Sequence, residues 1–203
     1  MVEVRTVGRE LVPAVVVPLV RAFWDFPETV HLLPSERARR RVLPRYLTSD
    51  ALDAVGFGTL FAAVDADEVV GAAAWVPPGG YPIGLARQSR AIWDLVPTLP
   101  WTWRQAQEAA RGQRGNRSRH EGRPPHYWLR AVGVDPAHQH RGVGRALLRA
   151  GLDRADEEGV GSFLFTATTE NAGWYEHFGF RTEEQYRPTP RWPTVWAMWR
   201  DPA

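Results

Sequence analysis

The chain has 203 residues, 44% hydrophobic and 24% charged, with no cysteine and a formal net charge of +2 at pH 7. That length suits one domain with a sizeable core and is short for two, while the missing cysteines exclude disulfides, thiolate metal sites and a thiol nucleophile. No apolar run of about 18 residues appears, and Met1-Val2-Glu3-Val4-Arg5 lacks the basic and apolar regions of a signal peptide, so a cytoplasmic protein without membrane attachment is expected.

Val2 to Arg5 alternates apolar and polar residues and predicts a first strand. Glu10 to Trp24 reads as a helix despite Pro13 and Pro18, closed by Phe23-Trp24-Asp25-Phe26-Pro27. Ser35 is an N-cap for a second helix from Glu36 towards Leu47. The arginines at 37, 39, 40 and 41 fit the solvated face of that helix better than a polyanion site, and no nucleic-acid partner is expected. Thr59–Val64 and Val69–Val76, joined by Asp65-Ala66-Asp67-Glu68, predict a hairpin.

Residues 77 to 125 begin Pro-Pro-Gly-Gly and end Gly-Arg-Pro-Pro. Between them Leu85–Leu95 and Trp101–Arg111 have helical spacing, and the polar, basic Arg111–Arg123 predicts a mobile loop. The segment reads as a helical insertion, not a second domain, within a single domain spanning residues 1–203. His126–Val134 is a strong strand pattern, followed by a helix over Gly142–Glu158, a strand over Ser162–Thr168 and a helix over Asn171–Phe178 that Gly179 stops. Phe180–Arg187 and Thr194–Arg200 are closing strands. Interleaved strands and helices predict an α/β or α+β chain with one mixed sheet.

The chemistry lies in Val132-Gly-Val-Asp-Pro-Ala-His-Gln-His-Arg-Gly-Val-Gly-Arg-Ala-Leu-Leu148, where a strand ends and a two-glycine loop feeds a helix. Amides at a helix start have no intrahelical acceptor, the helix dipole favours an anion there, and glycine lets a ligand approach the backbone. Residues 140 to 145 therefore suit a phosphate, with charge from Arg141 and Arg145; an ordinary strand-turn-helix connection is the alternative. A Walker loop needs a lysine, which the chain lacks. A dinucleotide fingerprint needs glycine where Leu147 stands. His138 and His140 have no acidic or cysteine companions, so no metal site is expected.

Gln139-His-Arg-Gly142-Val-Gly144 resembles the Gln/Arg-x-x-Gly-x-Gly/Ala signature of the GNAT (GCN5-related) N-acetyltransferases, as do the preceding Val-Gly-Val-Asp-Pro and the downstream Asn171-x-x-Trp-Tyr175-Glu-His-Phe-Gly179-Phe180. Ala22-Phe23-Trp24-Asp25-Phe26-Pro27-Glu-Thr-Val-His31, Tyr127-Trp128-Leu129 and the closing Trp196-Ala-Met198 are most similar to the puromycin N-acetyltransferase branch. The resemblance implies a largely antiparallel sheet of about seven strands, splayed at its two central parallel strands, with helices on both faces and the insertion between the third and fourth strands.

It further implies an enzyme that uses acetyl-CoA as co-substrate and passes the acetyl group directly to a small-molecule amine, as a monomer or homodimer. Val132, Gly133 and Val134 would pair with the pantetheine arm. Gln139, His140, Arg141, Gly142, Val143, Gly144 and Arg145 would hold the pyrophosphate, and Asn171 would contact the arm. Tyr175 would be the general acid near the sulfur, since a phenol can support a departing thiolate; read without the resemblance, it is a half-buried helix aromatic. The puromycin branch carries Glu and Tyr at the positions of Phe165 and Phe26, so the base is open among His31, Glu28, Asp25 and Glu36. His31 has the most suitable unperturbed pKa. Among the ten Trp residues, Trp24, Trp75 and Trp128 are assigned to an aromatic acceptor cleft with Phe26, Glu28, His31 and Phe165, although most Trp residues serve cores. Two other functions stay open: acetylation of a protein N-terminus or lysine, and a non-catalytic acyl-CoA-binding module.

Overall fold

The computed structural model describes residues 2–81, 99–120 and 122–203. Strand β1 (Glu3–Thr6) leads through a 3-10 turn into helix α1 (Val12–Phe23). Pro13 lies in the first turn of α1, where its missing N–H costs no hydrogen bond. Next come α2 (Pro27–Leu32), α3 (Glu36–Phe57), β2 (Leu60–Asp65), β3 (Glu68–Val76) and α4 (Leu99–His120). The chain closes with β4 (His126–Val134), α5 (Val143–Glu157), β5 (Gly161–Thr166), α6 (Thr169–Glu176), β6 (Arg181–Tyr186) and β7 (Val195–Arg200).

Three segments differ from the sequence expectation. Pro27, expected to close a helix, opens α2 at its first turn, with Phe26 extended at the N-cap. Helix α3, capped by Ser35 Oγ accepting the Ala38 N–H at 3.2 Å, runs past Leu47 to Phe57. Leu43, Leu47, Ala51 and Ala54 keep one buried helical stripe over that length. Finally, Arg111–His120 is helix, not loop. Polar partners on β6 fix it: Arg119 Nε and Nη2 donate to the two oxygens of Glu184 at 2.7 and 2.6 Å, and Tyr186 donates to Asn116 Oδ1. The expected helix Leu85–Leu95 lies outside the described residues.

The seven strands form one sheet in the order β1-β2-β3-β4-β5-β7-β6. Every neighbouring pair is antiparallel except β4–β5. That parallel pairing runs from His126↔Gly161 only to Leu129↔Leu164, although β4 continues to Val134 and β5 to Thr166. Where it stops, the β3–β4 register jumps: Trp75 faces Leu129 and Ala74 faces Ala131. Arg130 is therefore the extra residue of a β-bulge, which turns β4 away from its parallel neighbour.

Alternation along the strands splits the core in two. Phe61, Ala63, Ala73 and Trp75 face α5 and α6 with Leu147, Leu148 and Leu152. Leu60, Ala62, Ala72 and Ala74 face α1 and α3 with Val15, Leu19, Leu43 and Leu47. The small alanines on that second face let the two helices lie close to the sheet.

Trp75 is wholly buried, and a Cβ on Gly151 of α5 would lie 2.2 Å from its indole Cε2 and Nε1. A helical glycine normally costs up to ~1 kcal/mol relative to alanine, but here it makes room for the ring. Gly151→Ala is expected to lower stability by ~1–3 kcal/mol, whereas Gly173→Ala in α6, which meets nothing within 4 Å, should be neutral or stabilising. Urea midpoints of the two variants check the contrast.

Candidate functional site

The separation of β4 from β5 leaves one edge of β4 without a strand partner beyond Leu129. Asp135 N–H donates to Val70 O on the β3 side at 2.8 Å. By strand alternation the peptide groups of Val134 and Val132 point the other way, into the gap. The Val134 carbonyl there accepts from Gln139 Nε2 at 3.1 Å. Gly133 faces α1: a Cβ would come within 2.9 Å of Ala22 Cβ, so its lack of a side chain lets α1 close on β4.

Beyond Val134, Asp135 Oδ1 accepts the Ala137 N–H at 2.9 Å and Oδ2 pairs with Arg21 at 2.5 Å. The neighbouring amide first, and Arg21 second, hold this carboxyl below its usual range. The chain then turns through His140 at φ 61° and Gly142 at φ 81°. Ala146 N–H makes the first intrahelical bond, to Gly142 O at 3.0 Å, so the Val143, Gly144 and Arg145 amides have no acceptor within α5. A Cβ on Gly142 would point into open space; glycine serves the left-handed backbone there. Arg141 and Arg145 are exposed. A helix start with amides lacking intrahelical acceptors, open space beside Gly142 and two exposed guanidinium groups fits a diphosphate.

Helix α6 follows β5 directly at the same end of the sheet. Thr168 Oγ1 caps it, accepting the Asn171 N–H at 3.2 Å. Tyr175 is 6% exposed, with its ring 5.0 Å from Trp174 and 5.8 Å from Phe180. Its hydroxyl makes no hydrogen bond among the described residues, and burial pushes its pKa up, so it keeps its proton at neutral pH.

Where β4 and β5 part lies a cavity of about 300 Å³, bounded by Leu129, Arg130 and Ala131 of β4 and Phe165 of β5. Helices α2, α3 and α4 and the β6–β7 loop complete it. Phe26, Glu28, Trp128 and Phe165 line it as expected. Three other expected residues stand elsewhere. Trp75 is core on the α5 face, because β3 alternation turns it away from α1 and α3. Trp24 sits under the Arg39 guanidinium at 5.2 Å. His31 turns towards α4, its Nε2 3.7 Å from Glu108 Oε1 and its ring 5.1 Å from Trp192. Asp25 and Glu36 are exposed, Glu36 pairing with Arg40 at 3.2 Å.

The cavity holds charges of both signs. Arg130 Nη2 lies 2.5 Å from Asp50 Oδ1, their side chains 12% and 3% exposed, and the guanidinium sits 5.2 Å from the Trp128 ring. Burial pushes the Asp50 carboxyl up against the opposing pull of Arg130. The Asp50 charge, with burial, pushes the Tyr46 hydroxyl up to about 12. Among the described residues Glu28 has only a neutral partner, the Trp192 indole N–H donating to Oε1 at 3.0 Å. Burial raises its pKa more than that bond lowers it.

The profile of the Acetyltransferase (GNAT) family matches residues 20–180. The chain belongs to the GNAT acetyltransferase family. Solved structures share its fold along the whole chain. A histone acetyltransferase HPA2-related protein of Corynebacterium glutamicum has 21% identity and a TM-score of 0.71, covering 100% of this chain and 97% of that one. Arylalkylamine N-acetyltransferase 2 of Aedes aegypti has 14% identity and a TM-score of 0.69, covering 98% of each. PaiA N-acetyltransferase of Thermoplasma acidophilum, solved with coenzyme A, has 11% identity and a TM-score of 0.61, covering 99% of each. GNAT acetyltransferases use acetyl-CoA. Among the described residues no three His, Asp or Glu side chains gather as a metal site, and no helix is long and apolar enough to cross a membrane.

Sequence reasoning misses Tyr46, Asp50, Arg130 and Trp192, and the polar side chains that α4 brings to the cavity, Gln113 and Asn116. Two have a readable signal. Arg130 is the only arginine or carboxylate inside the strand pattern 126–134, and Asp50 interrupts the apolar stripe of α3.

Beside the cavity, His126 Nδ1 lies 2.8 Å from Pro124 O and so donates to it. Its Nε2 then accepts from His120 Nδ1 at 3.2 Å. His120 is 6% exposed, and burial, then His126, hold its pKa down at about 3. The unfolded chain protonates this residue near pH 6.5 and the folded chain does not. Its contribution to stability is therefore complete above pH 6.5 and is lost as pH falls from there towards 3. His120→Phe should flatten the decline in stability between pH 6.5 and pH 4, read from urea melts across that range.

Proposed function

We propose that this GNAT chain transfers the acetyl group of acetyl-CoA directly to the amine of a small molecule held in the cavity beneath α2, α3 and α4. The observation that carries the reading is the meeting of three features at one break in the sheet: a β4 edge without a strand partner, α5 amides without intrahelical acceptors and a cavity lined by carboxylates. An arylalkylamine N-acetyltransferase among its structural neighbours is in keeping with it.

In this reading Val132 and Val134 pair their outward peptide groups with the pantetheine arm, beside Gly133, and so fix the arm's direction. Gln139 to Arg145 hold the diphosphate through main-chain donors and the two arginines, and Asn171 contacts the arm from α6. Acetyl-CoA supplies an acyl carbon for attack and a thiolate to leave. The chain's task is to present a neutral amine and to support that thiolate.

Glu28 takes the role of base in preference to His31, which points at Glu108. Its raised pKa brings it closer to the amine whose proton it accepts. The amine nitrogen forms the new C–N bond as the C–S bond breaks. Its surplus proton passes to Glu28, and Tyr175 donates its O–H towards the departing sulfur. Burial keeps the Tyr175 proton in place until then. Glu28 also brings a polar group to the cavity where Phe26, two residues before it, and Phe165 on β5 have none. The likeness of Ala22–His31, Tyr127–Leu129 and Trp196–Met198 to the puromycin branch supports kinship there with an altered acceptor.

Calorimetry with acetyl-CoA and thiol release across a panel of amines test this reading. Tyr175→Phe should cut kcat by about tenfold or more while leaving acetyl-CoA affinity nearly unchanged. Glu28→Gln should lower kcat/KM by a similar factor without loss of thermal stability, because it removes a buried carboxylate whose ionised form the fold disfavours. Turnover with peptides alone would point to protein acetylation, and binding without turnover to a non-catalytic module.

A further inference from the structure

The walls of the cavity bear on which acceptor fits, a question that rests on the acetyl-transfer reading. The volume of about 300 Å³ is at the lower end of small-molecule sites. Rings and aliphatic chains dominate the lining: Phe26 from the α2 N-cap, Leu43 from α3, Trp128 from β4, Phe165 from β5 and Trp192 from the β6–β7 loop. These come from five separate segments, so the aromatic surface surrounds the space instead of forming one wall. The neutral polar groups Gln113 and Asn116 enter from the α4 side.

The charges divide unequally. Among the described lining residues there are two carboxylates, Glu28 and Asp50, and one cation, Arg130. Arg130 and Asp50 neutralise each other at 2.5 Å. Asp53, one turn further along α3, is buried but does not line the space. His31 and Glu108 face each other outside it. One carboxylate, Glu28, is left, among the described residues, with only an indole N–H for company. The lining thus provides for a single ammonium group. A second positive charge on the same ligand would meet apolar wall or the Arg130 guanidinium, and a desolvated charge without a partner is costly.

We infer that the acceptor is a compact primary monoamine with an apolar, preferably aromatic, body, and that Arg130 excludes diamines and polyamines by its charge. A peptide N-terminus is disfavoured on a different ground: its flanking backbone needs a run of hydrogen-bond partners, and a lining dominated by rings and aliphatic chains offers only a few neutral polar side chains, Thr29, Tyr46, Gln113 and Asn116.

The test compares kcat/KM of the wild-type protein for 2-phenylethylamine, n-hexylamine, 1,4-diaminobutane and a tetrapeptide with a free N-terminus, at saturating acetyl-CoA. The two monoamines should exceed the diamine and the peptide by about 100-fold or more. In Arg130→Met the Asp50 carboxylate, without its counter-ion, offers a second cation site, and the monoamine-to-diamine ratio should fall by about tenfold. Arg130→Met/Asp50→Asn, which keeps the lining free of that extra charge, should restore the wild-type ratio. Equal wild-type turnover of the diamine or the peptide would overturn the inference while leaving acetyl transfer intact. An unchanged ratio in a folded, active Arg130→Met would remove Arg130 from the selection. Absence of turnover with every acceptor would instead overturn the underlying assignment.

Discussion

The site depends on the early end of one parallel strand pairing. β4 and β5 hold together for four residue pairs, from His126↔Gly161 to Leu129↔Leu164, and then diverge. An extra residue in β4 produces the divergence locally, since Arg130 has no opposite number on β3. Buried peptide groups are ordinarily paired, so a central strand that gives up its neighbour within a sheet must be paired some other way. Here the gap presents Val132 and Val134 on one side and the start of α5 on another, and the cavity begins at the same residues. The bulge thus serves two purposes: it opens the backbone edge that suits an extended ligand, and it turns the Arg130 side chain to Asp50.

The architecture is largely legible in the sequence because the strands follow simple rules. Alternation alone bounds His126–Val134 correctly, and periodicity places the β2–β3 hairpin, α5 and α6 to within a few residues. The failures have common causes. Pro27 reads as a stop yet opens α2, because proline is as compatible with a first helical turn as with a helix end. Arg111–His120 reads as loop because its own face is polar; the partners that order it, Glu184 and Tyr186, lie more than 60 residues away. Helical order supplied by distant ion pairs and ring stacking, such as Arg119 over the Tyr186 ring at 3.2 Å, leaves no local periodic trace.

The site divides in the same way. The loop from Gln139 to Arg145 is contiguous, so the helix start it feeds is legible in the sequence alone. The cavity is assembled from five or more segments, and the sequence identifies four of its linings, Phe26, Glu28, Trp128 and Phe165. It misplaces Trp75, His31 and Trp24 because aromatic character does not reveal which face of a sheet or helix a residue takes. Trp75 belongs to the opposite core, accommodated there by Gly151; one register step along β3 would put it on the cavity face.

The two faces of the sheet therefore carry different burdens. On the α5 face, Trp75, Leu147, Leu148 and Leu152 are wholly buried, a packed core beneath the helix that the Gln139–Arg145 loop opens. On the α3 and α4 face, packing gives way to a cavity in which Glu28, Asp50 and Arg130 are retained at a cost in desolvation. Buried charges of this kind are weak contributors to stability. Arg130 and Asp50 offset each other, but Glu28 has only the Trp192 indole, a neutral partner that leaves the carboxylate able to receive a cation. A fold seeking stability alone would fill this position with a methylene chain. Its retention in a largely apolar lining accords with the proposal of a positively charged ligand that arrives without a counter-ion of its own.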